Sequence, residues 1–257
     1  MENNNVDITK ELPTVIAFCA GYGGIERGLD LAGFKHRVIA YVEIEAFAIA
    51  NLVSKMESGQ LSPAPIYTDL KTFPAHLFRD RVDIITGGYP CQPFSAAGQR
   101  KGTDDPRHLW PFIRRYIQTI RPARCFFENV EGHISLGLST VISDLEEDGY
   151  RTTWGIFSAE EVGAPHRRKR IFIMADTDSA SWQGGGLPSG VHEEHSIAYS
   201  SGNGVRDEAS QQWLPEPRVG RVVDGCADRV DRLRLLGNGV VPQTAAKAYS
   251  NLTSRFL

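Results

Sequence analysis

Paired cysteines, long apolar runs and an excess of basic charge are all missing from this sequence. Its four cysteines, Cys19, Cys91, Cys125 and Cys226, stand far apart and form no CxxC pair. That spacing supplies neither a zinc cage nor a disulfide framework, and it suits a reducing, cytoplasmic compartment. The segment HEEH at 192–195 lacks the HExxH spacing, so no metal is expected. No apolar stretch approaches the roughly 18 to 20 residues needed to cross a bilayer, and the opening MENNNVDITKELP has no apolar core of a signal peptide. No membrane partner is expected. The formal net charge is -3, so no whole-chain basic field announces a nucleic acid. Such a partner has to be read from local charge.

What is present is a 257-residue chain, 41% hydrophobic, enough for one α/β domain with a good core. Short β-branched and aromatic runs read as buried strands: TVIAFC (14–19), RVIAYV (37–42), VDIIT (82–86), CFFENV (125–130), RTTWGIF (151–157) and RIFIMA (170–175), with a short strand ahead of YTDL. Helical stretches separate them at 25–32, 44–55, 109–120 and 134–147. Strands alternating with helices of this length predict βαβ units, a largely parallel, doubly wound sheet, and ligands bound beyond the carboxyl ends of the strands. From Asp176 to Val230 the composition turns to Gly, Ser and acids, nine acids against four arginines, and is too poor in aliphatics for a core of its own. The last stretch, from 231, regains helical periodicity. The expected organisation is a main domain over 1–175, a short irregular region over 176–230, and a C-terminal segment over 231–257 that returns to the main sheet.

The loop AGYGGIERG (20–28) follows the first strand. Gly21, Gly23 and Gly24 permit a tight turn and close approach to a ligand, with a helix N-terminus beyond. Glu43 ends the second strand about 20 residues on, where a carboxylate hydrogen-bonds a ribose hydroxyl. A strict dinucleotide fingerprint would need glycine in place of Glu26, so an adenosine cofactor without a pyrophosphate fits as well. The alternative is a turn serving packing alone. Asp69 in YTDL is placed to meet an adenine edge, or is an ordinary turn aspartate.

Cys91 follows DIITGGYP, at the tip of a predicted central strand and at the start of a glycine-bearing loop. A thiol there is a candidate nucleophile, activated by local dipoles and positive charge. Cys19 and Cys125 lie within strand patterns and read as inert core thiols. If the strands of VDIIT and CFFENV are neighbours, Glu128 stands beside Cys91. Set among Phe126, Phe127 and Val130, its carboxyl is expected to hold a proton near neutrality. A thiolate with such an acid can add to an electron-poor ring; the alternative for Glu128 is a structural carboxylate holding a loop. In APHRRKRIFIMA, strand alternation sends Arg168 and Arg170 one way and Arg167 and Lys169 the other, one set toward a site and one toward phosphates or solvent. Arg114, Arg115, Arg121 and Arg124 form a second basic set; for Arg114 and Arg115 a solvated face is expected.

Together these segments resemble the DNA (cytosine-5)-methyltransferase family. The matching stretches are FCAGYGGIERGLDLAGF, Glu43, TDL, GGYPCQPFSAAGQRKGTDDPR, ENV, APHRRKRIFIMA and GNGVVPQ, in the family's order, covering most of the chain outside 176–230. The resemblance implies a Rossmann-like methyltransferase sheet, S-adenosylmethionine as cofactor, and double-stranded DNA as substrate with the target cytosine flipped out. It further implies Cys91, Glu128 and Arg168 as catalytic residues, and Phe18, Gly21, Gly23, Gly24, Glu43, Asp69, Pro90 and Asn238 around the cofactor. DNA is expected at Gln92 and Ser95 in a closing loop, and at Arg170, Arg218 and Arg221. A monomer is expected, with a cognate restriction endonuclease as a separate protein. The chain departs from the family pattern at Ala17 and Cys19, where an acid and an aromatic are usual, leaving Phe18 to supply the stacking. His166 replaces a glutamine, and the recognition region is short and acidic. The competing readings are a cytosine-5 RNA methyltransferase of the same fold, a catalytically idle DNA-binding relative, and, more distantly, a nicotinamide oxidoreductase.

Overall fold

The computed structural model describes residues 12–90, 109–177 and 239–256. Chain order runs β1 (Thr14–Phe18), α1 (Gly24–Leu31), β2 (Arg37–Val42), α2 (Ala46–Glu57), β3 (Ile66–Tyr67), β4 (Ile84–Gly87), α3 (Trp110–Ile120), β5 (Arg124–Val130), α4 (His133–Leu136), α5 (Leu138–Glu147), β6 (Arg151–Phe157), β7 (Arg170–Asp176) and α6 (Pro242–Thr253). The strands form one seven-stranded sheet in the order β3-β2-β1-β4-β5-β7-β6. The reversal of direction at β1 and β4 is the switch point of a doubly wound sheet, and it places the ends of β1, β2, β4 and β5 on one side.

Alternation sorts each strand's residues between two apolar layers. Ile16, Phe18, Ile85, Cys125 and Phe127 face α3 and α5, while Val15, Ala17, Ile84, Phe126, Phe172 and Met174 face α1 and α6. All six expected strands are present within one or two residues of their predicted limits, and β3 is a two-residue strand. The expectation of a largely parallel sheet needs one correction. β7 runs antiparallel to both β5 and β6. The link from Phe157 to Arg170 holds one turn of 3-10 helix, Glu160–Val162, and a left-handed Gly163 (φ 87°), too short for the crossover that a parallel return requires. The helix expected over 134–147 is two helices, because Gly137 leaves the helical region between them.

Candidate active site

The loop after β1 turns on two left-handed glycines, Gly21 (φ 55°) and Gly23 (φ 77°), and Gly23 caps α1. Glu43, buried at the end of β2, holds this loop: Oε2 accepts from Gly21 N at 2.7 Å, and Oε1 accepts from Ile44 N and Glu45 N at 2.8 and 2.9 Å. One carboxylate thus clips the β1 and β2 loops together. Asp69 Oδ1 caps a 3-10 turn by accepting from Lys71 N at 2.8 Å. Phe18 requires a correction. Expected to stack on the cofactor, its ring is wholly buried against Phe73 and Tyr116, at centroid distances of 5.3 and 5.9 Å. Strand alternation aims it into the α3 layer. Cys19, just past the end of β1 at φ 50°, is half-buried, and burial together with the charge of Glu43 pushes its thiol up to about 12. Burial also raises the Cys125 thiol.

β4 and β5 are parallel neighbours with Gly87 opposite Phe127, so Glu128 stands beside Gly88. A Cβ on Gly88 would lie 3.3 Å from Glu128 Oε2. Glu128 is 5% exposed, and Arg170 Nε lies 2.8 Å from its Oε1. Burial pushes the carboxyl up to about 7 against the opposing pull of Arg170 and then Arg168. Arg170, expected at the DNA, is therefore turned onto the carboxyl. Glu128 pairs with Phe172 across the ladder, and Arg170 is its diagonal neighbour on the same face. Arg168 precedes the strand at φ 31°, and its Nη2 donates to the Gly239 carbonyl. Arg167 and Lys169 face exposed acids, Glu160 at 3.5 Å and Glu131 at 3.6 Å.

The approach to Cys91 is held from below. Asn129 Nδ2 donates to the Tyr89 carbonyl at 3.1 Å, and the Tyr89 hydroxyl lies 3.2 Å from Nε2 of the buried His133. Burial lowers His133 to about 4, so the ring is neutral at ordinary pH. Pro90 is exposed at the end of this support. Cys91, Gln92, Ser95, Arg218, Arg221, Asn238, Cys226, HEEH and all but the first two residues of 176–230 lie outside the described residues.

Of the second basic set, Arg115 lies on the solvated face expected of it and Arg121 is exposed, but Arg114 is not on such a face and Arg124 is buried. Arg114 lies between Asp144, Glu147 and Asp148 of the α5 end, and Arg124 is buried against Asp176. Sequence reasoning missed three site neighbours. Tyr22 in the glycine loop donates to the Val240 carbonyl, Lys55 Nζ donates to the Tyr22 carbonyl at 2.7 Å, and the buried Glu26 accepts from Thr86 Oγ1 at 2.6 Å. The one advance signal was Glu26 itself, an acid standing where a glycine would complete a dinucleotide fingerprint.

Among the described residues no three His, Cys, Asp or Glu side chains cluster as metal ligands, and no helix is long and apolar enough to cross a membrane. A sheet in this order, with a glycine loop after β1 and an acid ending β2, defines the Rossmann-like fold class of S-adenosylmethionine-dependent methyltransferases. Residues 14–215 match the model of the C-5 cytosine-specific DNA methylase family, and the chain belongs to that family. It is 31% identical over 210 residues to the type II methyltransferase M.AplI of Arthrospira platensis, covering 80% of this chain and 55% of the relative. Against M.NgoMIV of Neisseria gonorrhoeae it is 32% identical over 166 residues, 63% of this chain and 51% of the relative. The chain spans about half the length of the curated relatives it matches. Among solved structures, S. pombe Dnmt2 superposes with a TM-score of 0.54 at 25% identity, covering 64% of this chain and 51% of that one. A Spodoptera frugiperda DNMT2 variant gives 0.55 at 20% identity, covering 66% and 52%, a likeness of fold.

Proposed function

We propose that this chain methylates C5 of cytosine in double-stranded DNA through a transient bond between Cys91 and a base flipped out of the duplex. The observation that carries the reading is Glu128, a buried carboxyl with a pKa of about 7. It sits beside the strand that leads to Cys91, with two arginines in its field. An acid that is part protonated at neutral pH can deliver a proton to a ring nitrogen and take it back.

Cys91 forms a bond to C6 of the cytosine as its thiolate. The ring electrons move toward N3, where Glu128 delivers its proton, and C5 becomes the nucleophilic carbon of an enamine. Arg168 stands at the base's O2, and Arg170 holds Glu128 in place. S-adenosylmethionine, when bound, supplies an electrophilic methyl group. Release reverses the addition: C5 loses its proton to solvent, the C6–S bond breaks, and N3 returns its proton to Glu128.

The glycine loop fits such a cofactor. A Cβ on Gly21 would meet nothing within 4 Å, so there is open space beside the loop, and the neighbouring Ile44 exposes a large apolar surface. Gly21, Gly23, Gly24, Glu43, Asp69, Pro90 and Asn238 would hold it. Gln92, Ser95, Arg218 and Arg221 would meet DNA from the loop after Cys91 and from 176–230, the recognition region between the main domain of 1–175 and the returning 231–257. The chain acts as a monomer in the cytoplasm, alongside a separate endonuclease.

Methyl transfer from labelled cofactor to DNA and to RNA tests the substrate, and 5-fluorocytosine DNA tests the covalent step. Label in DNA together with a cofactor-dependent adduct is expected. Label confined to RNA would overturn the DNA reading, and absence of any adduct would favour the idle relative.

A further inference from the structure

Gly239 and Val240 lead into α6, and both of these consecutive carbonyls are gripped from the candidate active site. Arg168 Nη2 donates to the carbonyl of Gly239, and the Tyr22 hydroxyl donates to the carbonyl of Val240. The ring of Tyr22 lies so close to Gly239 that any Cβ there would overlap it, and a Cβ on Gly24 would overlap the Val240 carbonyl. The glycine loop, the returning segment and Arg168 are therefore locked together with no room to slide. Arg168 adopts φ 31°, a left-handed backbone that a non-glycine residue keeps only where its surroundings over-determine it.

Lys55 of α2 acts on the same tyrosine from another side. Its Nζ donates to the Tyr22 carbonyl at 2.7 Å and stands 4.7 Å from the ring centroid. This contact supports the loop backbone, whereas the hydroxyl supports the returning segment. Burial pushes the Tyr22 hydroxyl up to about 12, so it stays a donor at every working pH. Glu128, Arg168 and Arg170 all act on it electrostatically, which puts the tyrosine within the field of the site.

We infer that Tyr22 is a positioning residue that works at its two ends on different steps. Through its hydroxyl it holds the Val240 carbonyl, fixing the adjoining Gly239 carbonyl to which the guanidinium of Arg168 donates, for the chemical step. Through its own carbonyl, held by Lys55, it shapes the glycine loop for the cofactor. The inference rests on the reading under Proposed function, and nothing in the sequence pairs Tyr22 with a segment 218 residues away.

The test is a split between Tyr22→Phe and Lys55→Met. Each is measured for kcat, for the KM of S-adenosylmethionine, for S-adenosylhomocysteine affinity by calorimetry, and for the rate of adduct formation with 5-fluorocytosine DNA. Loss of one positioning hydrogen bond is worth about tenfold. Tyr22→Phe is expected to lower kcat and the adduct rate by about tenfold and to leave S-adenosylhomocysteine affinity within about threefold. Lys55→Met is expected to do the reverse, weakening cofactor binding about tenfold with kcat within about threefold. Wild-type kcat in Tyr22→Phe, or equal losses in both parameters, would overturn the inference. So would a Tyr22→Phe chain that does not fold, since the hydroxyl would then carry the fold rather than the arginine. A wild-type chain that neither binds cofactor nor forms an adduct rejects the functional reading instead, whatever the variants do.

Discussion

Glu26 of α1 and Glu128 of β5 are two buried carboxyls, and their neighbours give them different work. Glu128 has Arg170 and Arg168 in its field, and its pKa of about 7 keeps both protonation states accessible. It is protonated below that value and ionised above it, so a step that needs its proton is lost as pH rises through 7. The pH profile of kcat/KM is expected to fall on the alkaline side with an apparent pKa near 7. Glu128→Gln should remove that limb along with most of the activity; a wild-type profile level from pH 6 to 9 would contradict the role. Glu26 has His36 and Lys55 in its field instead. It accepts from Thr86 at 2.6 Å, and burial raises its pKa. A carboxyl raised on folding contributes stability that is complete below its unfolded value and is lost as pH rises toward its folded one. Glutamine keeps an acceptor for Thr86 and does not titrate. Glu26→Gln is therefore expected to melt at or above the wild type at pH 8, with the difference shrinking as pH falls toward the ordinary carboxylate range. A difference that instead grows on acidification would show Glu26 to be ionised in the fold.

At the scale of elements, the glycine loop stays in place because α1 and α6 pack at very short range. A Cβ on Gly28 would come within 2.6 Å of Ala245 Cβ and 2.9 Å of the Pro242 carbonyl, so only a hydrogen fits there. Gly28→Val must push the helices apart and is expected to cost about 3 kcal/mol, read as a lower denaturant midpoint with unchanged slope. Gly132 provides the control, since a Cβ there meets nothing within 4 Å, and Gly132→Ala should leave the midpoint nearly unchanged. α3 and α5 are joined differently. Trp110 Nε1 donates to Asp144 at 2.7 Å, and Arg114 is bidentate on Asp148 at 3.0 and 3.2 Å while also pairing with Asp144 and Glu147. The apolar stripe of α3, Ile113, Ile117 and Ile120, does most of the holding there.

Across the whole molecule, the end of the sheet away from the site is closed by one charged cluster. Arg124 at the start of β5 is bonded to Asp176 at the end of β7, and its Nη1 also donates to the Tyr249 hydroxyl of α6 at 3.1 Å. Both charged side chains are almost fully buried. Removing one strands the other without its counter-charge, so Arg124→Ala is expected to lose about 3 kcal/mol of stability. Replacing the pair together, with Arg124→Met and Asp176→Leu, should recover most of the loss in equilibrium unfolding. A single substitution as mild as the double would mean that the cluster contributes little. Because α6 covers the face beneath Glu128 and Arg168, this distant cluster holds the returning chain on which the site closes.

Much of this was decided by local sequence. Six apolar runs of strand length became strands because their β-branched and aromatic residues have no better place than a pleated layer. The glycine loop, Glu43 at the end of β2 and the raised pKa of Glu128 were all legible, because each depends on a residue and its immediate neighbours. The motifs and their order likewise carried the family. Tertiary structure alone decided what depends on neighbours distant in sequence: the reversal of β7, the enclosure of Phe18, the turn of Arg170 onto Glu128, and the meeting of Tyr22 with Val240. A pattern of period two states that a side chain leaves the sheet on one face or the other. Which strand lies alongside, in which direction, and what fills the space above that face are set by how the layers pack, and those choices gave Glu128 its arginines and Tyr22 its carbonyl.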